Sequence, residues 1–377
     1  MIRLEELSKV FQTERGSVTA VDRVSLEVPE GEICVLLGPS GCGKTTTMKM
    51  VNRLITPTSG KIYINDKDTD EYDPVELRRN IGYAIQQIGL FPNMTVEENI
   101  VVVPSLLGWG RDKCHERARE LLNMVAMEPD EFLKRYPNEL SGGQQQRIGV
   151  VRALAADAPV MLMDEPFGAI DPINREVIQD EFLKMQEQLR KTIMFVSHDI
   201  DEAVKMGDRI AIFRDGRLEQ YSPPDELLAY PKDEFIADFV GGDRTLKRLR
   251  LARIEQVMRS EVATVSSDDT MATAAKKIDE SGQPAVIVVD SHRHPRGYID
   301  KRMIEHASGS DTVGEYAPPL AFFVRRNDDL RTAVSEMFAH DVTWVAVVDD
   351  NRRICGLTTQ RDITNRLEVP QTPAEAA

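Results

Sequence analysis

The first 240 residues alternate between short apolar runs and segments whose apolar residues recur at helical spacing. Apolar runs that precede a loop and then a helical pattern lie at 33–38, 160–164 and 193–197. Strands and helices that alternate in this way are typical of an α/β fold with a largely parallel sheet. Between residues 111 and 155 the pattern is helical instead, and it predicts amphipathic helices over 113–127 and 144–155.

From residue 241 onward the chain contains two copies of one pattern, which we interpret as strand, helix, strand, strand, helix. A shift of 59 positions superposes the copies without a gap, and the matched identities include Val265 with Val324, Asp290 with Asp349 and Gly297 with Gly356. Two copies are too few for a solenoid, which usually needs about three or more. The repeat therefore predicts a packed, pseudo-symmetric pair.

Composition limits the classes to which the protein can belong. The 377 residues suggest two or three domains, and 41% hydrophobic with 29% charged residues is typical of a soluble globular protein. We expect neither a membrane helix nor a secretory signal, because no apolar stretch is long enough. A net charge of −15 argues against nucleic-acid binding, although residues 244–253 carry five basic side chains and no acidic one. The four cysteines lack metal-ligand spacing, so we expect reduced thiols.

A glycine-rich loop after the predicted strand at 33–38 fits the phosphate-binding pattern G-x-x-x-x-G-K-[ST]. Its residues are Gly38, Pro39, Ser40, Gly41, Cys42, Gly43, Lys44, Thr45 and Thr46. Glycines allow successive backbone N–H groups to converge on phosphate oxygens, and the following helix N-terminus adds its positive end. Lys44 then reaches the β- and γ-phosphates and the Thr45 hydroxyl holds Mg²⁺. The loop predicts a nucleoside triphosphate site.

Two further motifs carry the chemistry of a nucleotide-hydrolysing site. The apolar run 160–164 ends in Asp164 and Glu165, where the first carboxylate can bind Mg²⁺ and the second can polarise the attacking water as general base. Adjacent acids at a strand end are otherwise ordinary helix caps, but the phosphate loop in the same chain favours catalysis. Ser141, Gly142 and Gly143 precede the helix predicted at 144–155, which starts at Gln144, and their amides form a second anion-binding turn.

Together these motifs resemble the ATP-binding subunit of an ABC transporter over residues 1–240, with Leu140 to Gln144 matching the family's signature sequence. The resemblance implies that Phe11 stacks on adenine, that Gln86 meets Mg²⁺ and the attacking water, and that His198 contacts the γ-phosphate. Gln87 is an alternative to Gln86, but the distance to Leu90-Phe-Pro92 favours Gln86. Asp171 falls in the segment that resembles the family's D-loop, with Ile170 where leucine is usual.

The family's arrangement implies a dimer of two ATPase subunits, with a homodimer expected. Ser141 and Gly143 of one copy then close over the ATP that Lys44 of the other copy holds. Because no membrane helix is expected, the resemblance implies separate integral membrane permease subunits, which dock near Phe91, and an extracytoplasmic solute-binding protein that acts indirectly. It also implies a peripheral location at the cytoplasmic face of the cell membrane.

Each repeat copy resembles a CBS domain, and the pair resembles the tandem CBS module of some ABC ATPases. Thr359 and Asp362 match the positions that commonly hold the ribose and phosphate of an adenine nucleotide, whereas the first copy has Asp300 and Met303 there. The second copy is therefore the candidate regulatory site, and a purely structural dimerisation module is the alternative. The implied layout is an ABC domain at 1–240 with a helical insert at about 88–155, a basic linker at 241–255, CBS copies at 256–310 and 311–368, and a disordered tail at 369–377.

A chain with both parts most resembles the ATPase subunit of importers for osmoprotectants such as glycine betaine, carnitine and choline. The basic residues of 244–253 could contact anionic lipid and sense ionic strength, or could form a solvated linker that pairs with nearby acids. Three alternatives remain open. They are an importer ATPase for an amino acid, sugar or anion, a non-transport ABC protein acting on DNA or ribosomes, and a module that chiefly senses adenine nucleotides.

Overall fold

The computed structural model describes residues 1–14, 16–85 and 89–368 and divides the chain into two compact units, Met1–Val240 and Gly241–Ala377. Among the described residues, no helix is both long enough and apolar enough to span a bilayer. Gln86, Gln87 and the predicted tail at 369–377 lie outside the described residues.

The first unit contains strands and helices in alternation. Its strands are β1 (Ile2–Thr13), β2 (Gly16–Val28), β3 (Ile33–Leu37), β4 (Ser59–Ile64), β5 (Lys67–Asp68), β6 (Ile81–Ala84), β7 (Val160–Asp164), β8 (Thr192–Val196), β9 (Arg209–Arg214) and β10 (Arg217–Ser222). Its helices are α1 (Lys44–Val51), α2 (Pro74–Arg79), α3 (Val96–Ile100), α4 (Val102–Leu106), α5 (Arg111–Met124), α6 (Pro129–Phe132), α7 (Gly142–Ala155), α8 (Pro172–Leu189), α9 (Ile200–Met206), α10 (Pro224–Ala229) and α11 (Glu234–Val240). Single 3₁₀ turns lie at Thr69–Glu71 and Pro137–Glu139.

The larger sheet of this unit has the strand order β10-β9-β3-β8-β7-β6. All its pairings are parallel except that of β10 with β9, so the predicted parallel α/β core is confirmed. Every residue of β3, β7 and β8 is buried, as expected for central parallel strands covered on both faces. A second, antiparallel sheet has the order β2-β1-β4-β5. The carboxyl ends of β3, β8 and β7 therefore lie side by side and present their following loops together.

Helices α3 to α7 form the helical segment between β6 and β7. The helix predicted at 113–127 is α5, which ends at Met124 because Ala126 takes a left-handed φ of 53°. The helix predicted at 144–155 begins two residues earlier, at Gly142, because the Ser141 side chain caps its first turn. Pattern alone gave both helices but not their ends.

The second unit contains two three-stranded sheets of the same design, in the orders β11-β12-β13 and β14-β15-β16. Its strands are β11 (Thr264–Val265), β12 (Ala285–Val289), β13 (Pro295–Asp300), β14 (Phe323–Arg325), β15 (Trp344–Val348) and β16 (Ile354–Thr359). Its helices are α12 (Arg244–Leu251), α13 (Met271–Ser281), α14 (Lys301–Glu305), α15 (Val313–Tyr316), α16 (Leu330–Ala339) and α17 (Gln360–Leu367), with a 3₁₀ turn at Ile254–Gln256. The elements of the second copy begin 59 positions after those of the first, as the sequence repeat predicted.

The segment predicted as a basic linker, 241–255, is instead a folded part of the second unit. Helix α12 packs against α16 and α17, and Leu249, Ala252 and Ile254 belong to the apolar core of the second repeat copy. Two basic residues of this segment, Lys247 and Arg248, are buried. Lys247 pairs with Asp243, and the Arg248 guanidinium donates to the Leu367 carbonyl at 2.8 Å. Their aliphatic stems cover apolar surface while their charged ends find local partners.

Candidate functional site

The glycine-rich loop lies between the end of β3 and the start of α1, and its glycines are required by its geometry. Gly38, Gly41 and Gly43 have φ angles of 146°, 80° and 101°, which side chains rarely adopt. A Cβ at Gly38 would lie 2.2 Å from the Phe213 carbonyl oxygen, so backbone packing as well as φ excludes a side chain there. The loop can therefore turn its N–H groups towards one point at the N-terminus of α1.

Lys44 and Thr45, the first two residues of α1, place a cation and a hydroxyl beside this loop. The Lys44 ammonium is buried and donates to the carbonyls of Gly38 at 2.7 Å and Pro39 at 3.0 Å. The Thr45 hydroxyl donates to the Asp164 carboxylate at 3.1 Å, which joins α1 to the end of β7. The loop, a cation and a hydroxyl–carboxylate pair thus lie at one edge of the sheet.

The Thr45 and Asp164 oxygens are a donor set that suits Mg²⁺. Hard oxygen atoms are its preferred ligands, and Mg²⁺ typically takes one or two protein ligands together with substrate phosphates. In the described part of the chain, no cluster of three or more His, Cys, Asp or Glu side chains could hold a metal by itself. The residues therefore fit an ion that binds together with a nucleotide. Gln86, the third predicted Mg²⁺ residue, is outside the described residues.

Glu165 and His198 follow neighbouring strands and face each other. Glu165 has a left-handed φ of 50°, and its carboxylate lies 3.5 Å from Nδ1 of His198. The Glu165 side chain is 26% exposed and that of His198 is 66% exposed, so water and substrate can reach both. A carboxylate beside an accessible imidazole can accept a proton from a water molecule and orient a phosphate oxygen.

A buried network holds the loop that carries His198. The Ser197 hydroxyl donates to the Glu202 carboxylate at 2.5 Å and accepts from the Asp199 N–H at 3.0 Å. The Gln179 amide on α8 donates to the other oxygen of Glu202 at 3.0 Å. Burial raises the pKa of Glu202, which the Ser197 hydrogen bond partly opposes. Sequence reasoning missed Glu202 and Gln179, although a carboxylate four residues after a candidate histidine was visible.

The predicted signature turn is a helix N-terminus exposed to solvent. The Ser141 hydroxyl accepts from the Gln144 N–H at 3.3 Å, and the Gln144 side-chain oxygen accepts from the Ser141 N–H at 2.9 Å. This reciprocal pair is a capping box, and a Cβ at Gly142 would meet nothing within 4 Å. Gly143 instead packs against the backbone that follows β7, since a Cβ there would lie 3.3 Å from the Ala169 carbonyl oxygen.

Two other predicted residues lie on separate elements. The Phe11 ring, on β1, is 37% exposed, with the Lys9 ammonium 5.1 Å from its centroid. An exposed aromatic ring of this kind can stack on a base. Asp171 caps α8, because its carboxylate accepts from the backbone and side-chain N–H groups of Asn174 at 3.1 and 2.9 Å. These bonds lower the pKa of Asp171.

In the second unit, Thr359 lines a cleft of about 790 Å³ between the two repeat copies. Three cationic side chains line the cleft with it, those of Arg259, Lys301 and Arg361. Asp362 is already engaged, because it accepts from the Arg259 guanidinium at 2.9 Å and the Thr359 hydroxyl at 2.6 Å. Although burial raises the pKa of Asp362, these two donors hold it below its usual value.

Comparison with known proteins agrees with these features. The model of the ABC transporter family matches residues 21–168, and that of the CBS domain matches residues 254–309 and 313–369. The osmoprotectant import ATP-binding protein OsmV of Salmonella typhimurium is 53% identical over 99% of this chain and 97% of the relative. The glycine betaine/carnitine/choline transport ATP-binding protein OpuCA of Bacillus subtilis is 47% identical over 97% of this chain and 96% of the relative.

A solved structure is similar to the first unit. The dimeric structure of MJ0796, a bacterial ABC transporter cassette, is 36% identical and covers 59% of this chain and 98% of its own, with a TM-score of 0.56. The fold, the site and these matches define an ABC transporter ATP-binding protein with tandem CBS domains, as the sequence motifs predicted. More narrowly, the chain belongs to the family of the osmoprotectant and glycine betaine/carnitine/choline transport ATP-binding proteins.

Proposed function

We propose that this protein is the ATP-hydrolysing, energy-coupling subunit of an importer for osmoprotectants, namely quaternary amines such as glycine betaine, carnitine and choline. The observation that carries the motor role is the convergence of Lys44, Thr45, Asp164, Glu165 and His198 at the carboxyl ends of β3, β7 and β8. The nearly full-length similarity to ATP-binding proteins named for these solutes supports the cargo.

Each residue of the proposed site has a task that its surroundings support. The amides of the glycine-rich loop and the Lys44 ammonium bind the triphosphate, while the exposed Phe11 ring stacks on adenine. Thr45 and Asp164, with Gln86, hold Mg²⁺, which neutralises phosphate charge when bound. Glu165 takes the proton of the attacking water, and His198 orients the γ-phosphate.

The proposed assembly is a homodimer in which Ser141 and Gly143 of one copy close over the nucleotide that Lys44 of the other copy holds. The exposed turn at Ser141 supports this role, because it lies at the N-terminus of α7, where the helix presents its positive end. We place the subunit at the cytoplasmic face of the membrane, bound to permease subunits that receive solute from a binding protein. Phe91 supports such docking, since its side chain is 47% exposed.

The CBS pair is proposed to regulate transport by binding an adenine nucleotide in the cleft that Thr359 lines. Lys301 and Arg361 support an anionic ligand, since the other charged residues that line this cleft are Glu368 and Arg259, and Arg259 pairs with Asp362. We expect the basic segment to bind anionic lipid more weakly than five exposed charges would, because Lys247 and Arg248 are buried. Arg250 and Arg253 remain exposed and could still respond to ionic strength.

The catalytic assignment is tested by Glu165→Gln, which removes the proton acceptor and keeps the shape of the side chain. We expect nucleotide affinity within about threefold of wild type, hydrolysis reduced by at least about 100-fold, and an ATP-stabilised dimer. Steady-state ATPase assays, nucleotide titration and size-exclusion chromatography with ATP measure these properties. Glu187→Gln is the matched control, because Glu187 is an exposed carboxylate on α8. Undiminished turnover in Glu165→Gln would remove Glu165 as the base.

A further inference from the structure

Gln146, on the second turn of α7, makes two hydrogen bonds to the backbone that follows β7. Its side-chain Nε2 donates to the carbonyl oxygen of Glu165 at 2.8 Å, and its Oε1 accepts from the N–H of Ala169 at 2.6 Å. The side chain is buried, with 8% of the residue exposed. One amide therefore spans the segment from the proposed base to the residues just before Asp171.

The backbone that Gln146 holds needs external support. Glu165 has a φ of 50°, a conformation that costs energy in a residue with a side chain and persists only when its surroundings fix it. Its N–H donates to the Val196 carbonyl at 3.0 Å, and its carbonyl also accepts from the Gly168 N–H at 3.2 Å. Gln146 adds a contact to this backbone from a side chain on α7.

The first turn of α7 packs against the same segment at a second point. A Cβ at Gly143 would lie 3.3 Å from the Ala169 carbonyl oxygen and 3.9 Å from the Ile170 Cα. The signature turn and the segment 165–169 are thus joined by close backbone packing at Gly143 and by the Gln146 amide one turn later. A shift of the helix start must therefore move, or be resisted by, the backbone of Glu165.

We infer that Gln146 is a positioning residue that ties the signature helix to the backbone of Glu165 and Ala169. When the signature turn closes on the nucleotide of the partner copy, the position of Glu165 in its own site then changes with it. The inference rests on the proposed function, because it takes Glu165 as the base and the dimer as the active form. The amide fits both contacts, since its oxygen accepts from the Ala169 N–H and its N–H group donates to the Glu165 carbonyl.

The test replaces Gln146 with methionine in the full chain, which keeps length and burial but removes both hydrogen bonds. We expect nucleotide affinity, measured with a fluorescent ATP analogue, to stay within about threefold of wild type. We expect kcat to fall by at least about tenfold and the Hill coefficient for ATP to fall towards one. A purely structural role would lower the melting temperature and leave the Hill coefficient unchanged.

Gln186→Met is the matched control. Gln186 is also a buried glutamine of this unit, and its amide bonds to backbone at the carbonyls of Gly31 and Lys191 and the N–H of Lys191. It should lose stability and keep both cooperativity and kcat. If Gln146→Met does not fold, Gln146→Asn tests the same contact, because it keeps the amide but is one methylene too short to make both hydrogen bonds; we expect lower kcat and cooperativity again.

The outcomes separate the inference from the proposed function. If wild type and Gln186→Met hydrolyse ATP cooperatively and the Gln146 variants match them, the positioning role is wrong and the motor role stands. If wild-type protein itself does not hydrolyse ATP, the proposed function fails and takes the inference with it. Loss of kcat and cooperativity in the Gln146 variants alone supports the inference.

Discussion

Asp164 and Glu165 are neighbours in sequence, yet their surroundings give their carboxyl groups different properties. Asp164 is 3% exposed, and burial raises its pKa, an effect that the Thr45 hydroxyl partly opposes. Glu165 instead turns towards His198 and is partly accessible. Asp164 is buried and costly to ionise, which suits a ligand whose charge a bound cation neutralises. Glu165 is accessible, which suits proton transfer with water.

This difference predicts that Asp164→Asn stabilises the nucleotide-free protein. Because the pKa of Asp164 is raised in the folded state, its contribution to stability is complete below its ordinary value of 3.8 and is lost as pH rises through the folded-state pKa. Asparagine does not ionise, so the variant does not lose this stability at high pH, and its side-chain oxygen can still accept the hydrogen bond from the Thr45 hydroxyl. We expect a rise in melting temperature of about 2 °C at pH 7, measured by calorimetry without nucleotide, and no rise near pH 3.

Hydrolysis should disappear in the same variant, because the amide is a poor ligand for Mg²⁺. Thr45→Val provides the comparison, since it removes the hydroxyl and leaves the Asp164 carboxyl buried; it should not stabilise the protein. A melting temperature of Asp164→Asn that is lower than wild type at pH 7 would contradict the argument from burial.

Motif reasoning located the residues whose spacing is fixed by phosphate chemistry, such as Lys44 and Asp164. It missed Gln146 and Glu202, because many polar side chains lie on these helices and only tertiary packing decides which of them are buried. The roles of the candidate residues remain predictions, and Gln86 lies outside the described residues.

The loop from β8 to α9, which carries His198, is held by side chains on the helices next to it. Ser197, Glu202 and Gln179 connect this loop to α8, the helix that Asp171 caps. His198 itself is exposed, so the network rather than packing of the ring fixes where the loop lies. Glu202 therefore acts on His198 indirectly, as a positioning residue.

We predict that Glu202→Leu lowers kcat about tenfold with nucleotide affinity little changed, because Ser197 loses its acceptor and the His198 loop loses its anchor. Glu202→Gln is nearly isosteric and carries no buried charge, so it should keep most of the activity. Steady-state kinetics and nucleotide titration distinguish the two variants. Equal loss of kcat in both would indicate that the charge of Glu202, rather than its contact with Ser197, matters.

Helix α12 shows where sequence reasoning about an element failed. Its basic residues were counted as a charged linker, but Leu249 is buried against the second repeat copy and Lys247 and Arg248 have local partners. Asp243 lies four residues before Lys247 and was visible in the sequence, but Leu367 is 119 residues from Arg248 and only the fold brings them together. The repeat itself was predictable because its identities recur at one fixed shift.

At the scale of the whole molecule, each unit has its own apolar core. One apolar cluster of the first unit contains residues of both its sheets, among them Leu4 on β1 and Cys34 and Leu36 on β3. In the second unit one cluster lies on the first sheet, and the other joins the second sheet to Ala285 and Ile287 on β12. Separate cores imply that each unit can fold by itself.

This organisation predicts that the chain truncated after Val240 is a folded ATPase that no longer responds to salt or to adenine nucleotides other than its substrate. Truncation after residue 255 should instead give a poorly soluble protein, because Leu249, Ala252 and Ile254 lose the core that covers them. Solubility, melting temperature and ATPase activity of the two truncations make the comparison. Equal solubility and stability of the two truncations would show that α12 does not need the core of the second unit to cover it.

ATP-driven uptake of glycine betaine, carnitine and choline by the transporter reconstituted in liposomes tests the central proposal most directly. The subunit would be assembled with its permeases, once as wild type and once as Glu165→Gln, and radiolabelled solute would be followed over time. We predict uptake of at least one of these quaternary amines by the wild type, dependence on ATP inside the liposomes, and none with Glu165→Gln. ATP hydrolysis by the wild-type complex without uptake of any quaternary amine would contradict the proposed function.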